Sequence, residues 1–350
     1  MNPTEFIDQK GRHWVYMKTV PSRSEGTEPA PEDPVDDPER SVSTFVPPTD
    51  PVELAEGLRP VLIRPDGSLW QARDLDIDAA RRILANGIPP ETLGDRGSRG
   101  PEEQAQIDTG VSIRSDGIIG SDDRVIVDGS VYPYRAVGRF QNQQCSGWFV
   151  GSRTIATAAH CVWDKTNGQP YNYGAFVPGL QPFAGADYAP WGYWSMPNGP
   201  VIPSGYINSD KYYYDFAFAD VVIPAGWVGS PGWFGTAGNR CLTASLALGY
   251  PGQAPWGNPI GNQQAGSLYG GCQYLCYTFA GDCGNPVPWM LTHTLDWTKG
   301  MSGGPLYHVD GSSPIGYAIN TRRANGDNWN GSRRWDSTTY NFFANSVYLW

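Results

Sequence analysis

The 350-residue sequence has no run of about 18 or more apolar residues, which excludes a membrane-spanning helix. It also lacks an early basic stretch followed by roughly 7–15 apolar residues, the mark of a secretory signal peptide. The longest apolar run between Met1 and Lys18 is Trp14-Val15-Tyr16-Met17. Positive charge is short: 25 Lys and Arg stand against 35 Asp and Glu, for a net charge of −10 and a pI near 4.9. A general nucleic-acid binder is thereby disfavoured.

What is present is glycine, proline and aromatic carbon. With 43 Gly and 31 Pro, roughly a fifth of the chain, the sequence is turn-rich but below the level of a disordered low-complexity chain, and 13% aromatic residues are too many for full disorder. The charge divides the chain in two. The first 120 residues carry 22 Asp and Glu against 13 Lys and Arg; the remaining 230 carry 13 against 12, together with all six cysteines and 12 of the 14 tryptophans. Within the first part, residues 21–51 read as a solvated linker. Residues 58–70 read as a small hairpin turning at Pro65-Asp66-Gly67. A short helix follows, capped by Asp74 or Asp76, running through Ala79, Ala80, Ile83 and Leu84 and stopped by Gly87 and Pro89-Pro90. Residues 94–110 return to accessible linker composition, which suits a removable pro-segment and equally a plain acidic tail. The six cysteines, even in number and confined to one region, point to disulfides made in an oxidising compartment, extracellular or at the cell surface.

After residue 120, short apolar or aromatic runs alternate with Gly, Pro, Asn and Asp, for example at 124–127, 136–140, 148–150, 216–222, 242–248 and 315–319. No long amphipathic helix interrupts them, so the expected class is all-β, a barrel or sandwich.

Three segments carry candidate chemistry. In Thr157-Ala158-Ala159-His160-Cys161 a histidine among small residues either serves as a base or sits as a buried structural group. In Gly300-Met301-Ser302-Gly303-Gly304-Pro305 the glycines permit a tight turn on which the N–H groups of Gly300 and Ser302 converge as an oxyanion hole, or simply a Gly-rich turn. The same string matches the nucleophile elbow of α/β-hydrolases, where the acid and His follow the Ser; here only His308 follows, without an α/β pattern. In Tyr212-Tyr213-Tyr214-Asp215-Phe216-Ala217-Phe218 a carboxylate lies inside an aromatic run, where burial needs a partner such as a His ring N–H. Asp220 competes for that role.

The order His160, Asp215, Ser302 is that of chymotrypsin-like proteases. Adding Gly120-Ser121-Asp122-Asp123-Arg124, Tyr132-Pro133-Tyr134-Arg135 and Gly249-Tyr250-Pro251-Gly252, the sequence resembles the trypsin-like serine peptidases over roughly residues 118–350, and among them the bacterial glutamyl-endopeptidase-like branch. The resemblance implies two six-stranded antiparallel β-barrels with the active site between them, at about 118–225 and about 226–350. An acidic, partly disordered segment, residues 1–117, precedes them as a candidate pro-region. It implies a serine endopeptidase acting on polypeptides through Ser302 as nucleophile, His160 as base and acid, Asp215 as its orienting carboxylate, and the N–H groups of Gly300 and Ser302 as the oxyanion hole, with neither metal nor cofactor. Met301 replaces the Asp that animal trypsin-like enzymes use on activation. Asn320, with Thr321 beside it, stands where the glutamyl endopeptidases place a substrate-binding His, which puts glutamate specificity in question; Arg322 and Arg323 offer positive charge nearby.

The resemblance also implies a disulfide between Cys145 and Cys161. Cys241, Cys272, Cys276 and Cys283 then allow three pairings, or a zinc site, for which the spacing supplies only one close pair. Arg99 and Arg114 are candidate maturation points, with a new terminus near Ile118-Ile119. Two other functions use the same scaffold: a catalytically silent binding protein, which the aromatic clusters at 188–194, 212–214 and 227–234 would serve, or an esterase, since acyl-transfer chemistry is shared.

Overall fold

The computed structural model describes residues 4–21, 48–86, 118, 122–183, 186–209, 212–225, 231–236, 245–252, 265–270, 289–293, 295–310, 313–322 and 330–346. Two antiparallel sheets organise them, as the all-β expectation requires. The first has ten strands in the order Glu5–Ile7, His13–Thr19, Ser68–Ala72, Pro60–Ile63, Pro200–Pro203, Ala217–Asp220, Thr154–Thr157, Ser146–Phe149, Val137–Phe140 and Phe176–Pro178. The second runs Met290–His293, Asn330–Arg334, Ser313–Arg322, Pro305–Asp310, Ser245–Gly249, Ala265–Gly270 and Arg124–Ile126, with Gly235–Thr236 added in parallel along Ser313–Arg322. Among the described residues no helix is long and apolar enough to cross a membrane.

The hairpin expected at 58–70 is present. The Ser68 N–H and hydroxyl both donate to Asp66 (2.9 and 2.6 Å) and close its turn; the Ser68 hydroxyl chiefly, against the opposing effect of burial, holds the Asp66 carboxyl below its usual range. The expected helix is Ile77–Asn86, and of the two candidate caps Asp76 is the one used, accepting from Ala79 N–H at 2.8 Å. Three elements of the acidic segment escape the sequence reading. Strands Glu5–Ile7 and His13–Thr19 form one hairpin. Helix Pro51–Gly57 begins where the linker was expected to end, with Asp50 accepting from the N–H groups of Val52 and Glu53.

The acidic segment is therefore part of the first sheet. Strand Pro60–Ile63 pairs with Pro200–Pro203, Leu62 opposite Val201 and Val61 opposite Ile202. Trp14, Leu54, Val61, Leu62, Ile63 and Trp70 lie in the same apolar core as Trp148, Phe149, Phe176 and Phe218, and each aliphatic side chain buried there contributes about 1.5–3 kcal/mol. The start of the stretch assigned to the first barrel is also placed differently. Strand Arg124–Ile126 pairs with Ala265–Gly270 in the second sheet, where the Arg124 guanidinium, paired with Asp122 at 2.8 Å, donates to the Thr298 hydroxyl at 2.6 Å.

The chain ends in helix Ser337–Ser346, which lays Phe342 against Phe216 and Phe218 with ring centroids 5.3 and 6.1 Å apart. Trp335 bridges the sheets, 5.5 Å from both Trp148 and Phe218. Trp194, one of the aromatic cluster at 188–194, is core, 5.1 Å from Phe149, while Tyr188 and Tyr193 are exposed.

Candidate active site

Strands Thr154–Thr157 and Ala217–Asp220 are antiparallel neighbours with Ala217 opposite Thr157. Residues just after the first and just before the second therefore emerge at one end of the sheet. His160 lies three residues beyond Thr157, in the short 3₁₀ turn Ala159–Cys161. Asp215 lies two residues before Ala217, where Phe216 N–H bonds back to the Tyr214 carbonyl at 2.9 Å and turns the chain tightly. The small side chains of Ala158 and Ala159, both fully buried, let the two turns close on each other.

The result is a two-point grip. His160 Nδ1 is 2.8 Å from Asp215 Oδ2, and the His160 backbone N–H donates to Asp215 Oδ1 at 3.0 Å. Asp215 is fully buried and His160 nearly so. A carboxylate accepts, so Nδ1 carries the ring proton and Nε2 is the basic nitrogen. Asp220, the competing carboxylate, instead accepts from the Thr154 hydroxyl at 2.9 Å.

The turn bearing Asp215 is braced from the second sheet by a residue that sequence reading missed. Arg333, fully buried, donates through Nε to the Tyr213 carbonyl at 2.6 Å, pairs with Asp336 at 2.9 Å, and lies over the Tyr213 ring. The Tyr213 hydroxyl meets Thr338 at 2.8 Å, and burial pushes it up to about 12. Its local sequence, Ser332-Arg333-Arg334, carries no motif that would have singled it out.

Ser302 comes from the second sheet on a loop pinned to the first. Gly300 and Gly303 have φ of +96° and +82°, a left-handed conformation that side chains disfavour. A Cβ on Gly303 would stand 2.2 Å from both the Ser146 carbonyl oxygen and the Thr157 hydroxyl. Ser146 links the two sheets: its N–H donates to the Ser302 carbonyl (2.7 Å), and its hydroxyl donates to the Gly300 carbonyl (2.8 Å) and accepts from Tyr250 N–H (2.8 Å). The Ser302 carbonyl oxygen is also 3.6 Å from Cys161 Sγ, beside His160. The structure thus brings the backbone of Ser302 against the turn that carries His160.

Cys145 and Cys161 are joined in a disulfide closing a separation of 16 residues, worth about 3 kcal/mol, which anchors that turn to the neighbouring strand. Cys145, His160 and Cys161 are the cluster closest to a metal-ligand set among the described residues, but the bonded sulfurs are not the thiolates a metal requires. His308 lies in strand Pro305–Asp310, its ring 5.7 Å from Tyr317; with antiparallel strands on either side, the nucleophile-elbow reading has no strand-to-helix turn on which to stand.

Asn320 and Thr321 are fully buried. Asn320 clamps the Ser302 loop through its backbone, accepting from Gly303 N–H (2.8 Å) and donating to the Gly304 carbonyl (2.9 Å). Its side-chain oxygen accepts from the Ser332 hydroxyl at 2.9 Å, and that hydroxyl meets His293 Nε2 at 2.9 Å. Burial pushes His293 down to about 3, so it is neutral near pH 7. This buried polar line links strands distant in sequence and was not anticipated. Cys241, Cys272, Cys276, Cys283, Arg99, Arg114, Ile119 and the side chains of Arg322 and Arg323 lie outside the described residues.

No family model matches the chain. A glutamyl endopeptidase of Bacillus licheniformis is 32% identical over 197 residues, which cover 50% of this chain and 55% of that protein, so the chain spans about half the length of the relative it matches. A solved structure of a Glu endopeptidase in complex with MPD superposes with a TM-score of 0.50 at 20% identity, covering 65% of this chain and 98% of that one. In sequence over half its length, and in its two-sheet fold, the chain is similar to the trypsin-like serine peptidases of the glutamyl-endopeptidase branch.

Proposed function

We propose that this chain is a serine endopeptidase. The observation that carries the reading is the two-point grip of Asp215 on His160, with the backbone of Ser302 against the same turn. In this reading Ser302 Oγ attacks the scissile carbonyl while its proton passes to His160 Nε2, and the N–H groups of Gly300 and Ser302 hold the oxyanion. His160 then protonates the departing amine, leaving an acyl-enzyme that water hydrolyses by the same steps in reverse order. Asp215 keeps the proton on Nδ1 and stabilises the imidazolium.

Residues 118–350 form the peptidase part and residues 1–117 the acidic N-terminal part, with chain scission at Arg99 or Arg114. The substrate is a polypeptide, and in this reading Asn320 and Thr321, both closed to solvent, stand behind the wall of the pocket for its side chain. Being uncharged, they supply no cation for an acidic side chain, so we expect no strict demand for glutamate. The disulfide supports a location outside the reducing cytoplasm. A fluorophosphonate probe tests the reading, with mass spectrometry of the labelled peptide. Label on Ser302 that vanishes in His160→Ala supports it; folded protein that takes no label overturns it.

A further inference from the structure

The acidic N-terminal part is built into the molecule more deeply than a removable segment needs to be. Its strand Pro60–Ile63 covers Pro200–Pro203, a strand buried along its whole length. The contacts continue past the strand ends. Ser204 N–H donates to the Arg59 carbonyl at 2.9 Å, and the Ser204 hydroxyl donates to the Glu56 carbonyl. Gly199 approaches the Ile63 carbonyl so closely that a Cβ there would clash with it, and the Tyr173 hydroxyl donates to the same oxygen at 3.4 Å. On the far side Lys10 Nζ donates to the Ala344 carbonyl (3.3 Å) and Asn345 Nδ2 to Asp76 (3.1 Å), tying the segment to the C-terminal helix.

One of these contacts reaches the turn that carries Asp215. The end of helix Pro51–Gly57 lies flat on Tyr214: a Cβ on Gly57 would stand 2.1 Å from the Tyr214 hydroxyl oxygen and 2.5 Å from its ring. Gly205 receives the opposite part of the same ring, with a Cβ there only 2.5 Å from it. Tyr214 is thus gripped between the N-terminal part and the peptidase part, one residue from Asp215.

We propose that residues 4–86 are a permanent subunit of the mature molecule: cutting the chain between 87 and 117 leaves them bound without a covalent link, and through Tyr214 they position Asp215. The segment is then a clamp that activity requires, and its departure inactivates the enzyme. The positioning half rests on the serine-peptidase reading; the binding half does not.

The test places a site-specific protease sequence at residues 97–103 of the full chain, cuts it, and follows both pieces by native size exclusion and denaturing gel. We expect co-elution at the uncut size, separation only in denaturant, and kcat/KM within about twofold of the uncut chain. Pieces that part under native conditions, the larger one keeping its rate, overturn the proposal. A second arm compares Gly57→Val with Val52→Ala, an exposed position of the same helix. Gly57→Val is expected to lower kcat about tenfold or more with KM nearly unchanged, and to move the acid limb of the kcat/KM profile. Val52→Ala is expected to leave both in place. Co-elution with a Gly57→Val profile identical to the parent overturns the positioning half. Absence of probe label on Ser302 in the uncut chain overturns the peptidase reading, and co-elution still decides the binding half.

Discussion

Arg124 and Thr298, 174 residues apart, are joined by a 2.6 Å hydrogen bond from the guanidinium to the hydroxyl. Behind it, Asp122 holds the other edge of the guanidinium through two bonds of 2.9 and 2.8 Å. Ahead of it, the Thr298 carbonyl accepts from Met301 N–H at 2.9 Å, next to Ser302. The chain around Arg124 is thus tied to the Ser302 loop by a buried cation, at a place where Met301 rules out an ion pair.

Replacing that cation should therefore disturb both stability and rate. Arg124→Met leaves the Asp122 carboxylate, only 6% exposed, without its partner, a loss of about 3–5 kcal/mol. Arg124→Lys should recover only part, since an ammonium cannot make the forked contact. Denaturant midpoints and kcat/KM read both effects, and a midpoint for Arg124→Met equal to that of the parent would refute the account.

Gly303 admits no side chain. Gly303→Ala meets the Ser146 carbonyl and the Thr157 hydroxyl at 2.2 Å in a left-handed backbone, so the loop must shift as a unit. A displacement of this kind near the reacting atoms costs about a hundredfold in kcat/KM. Circular dichroism should report a folded protein, and near-parent activity would show that the loop is not held where the geometry puts it.

The buried His293 sets a pH dependence of stability. Its folded pKa, about 3, lies below the ordinary 6.5, so between these values the unfolded chain binds a proton that the folded one refuses. Stability from this residue is complete above pH 6.5 and declines as pH falls towards 3, by about 1.4 kcal/mol per unit well inside the window. His293→Gln should flatten that slope. Urea midpoints at pH 7, 5.5 and 4.5 would measure it, and equal slopes in the two proteins would exclude His293 as its source.

The candidate chemistry was legible where the needed residues stand close in sequence. His160 among alanines, Asp215 inside an aromatic run and Ser302 between glycines each have a local reason for their surroundings, and the pairing of Thr154–Thr157 with Ala217–Asp220 brings two of them together. Asp76 could be read as a cap for the same reason. Residues acting across the sheets left no such mark. Arg333 reaches Tyr213 over 120 positions, and His293 reaches Ser332 over 39, so neither contact has a spacing that a motif records. The strand His13–Thr19 was not read from the sequence, and its place in the first sheet depends on Pro60–Ile63 meeting Pro200–Pro203, which no local pattern announces.

The ten-stranded sheet has a bearing on self-association. Its outermost strands, Glu5–Ile7 and Phe176–Pro178, are three residues long, one carrying a charge and the other ending in a proline that cannot donate to a ladder. Such ends are poor templates for a strand from another molecule. Without Pro60–Ile63, the sheet would end instead at Pro200–Pro203, whose inner residues Val201 and Ile202 are apolar and almost wholly covered. The N-terminal strands thus move the boundary of the sheet away from Val201 and Ile202, so that two apolar residues lie in its interior instead of along its edge.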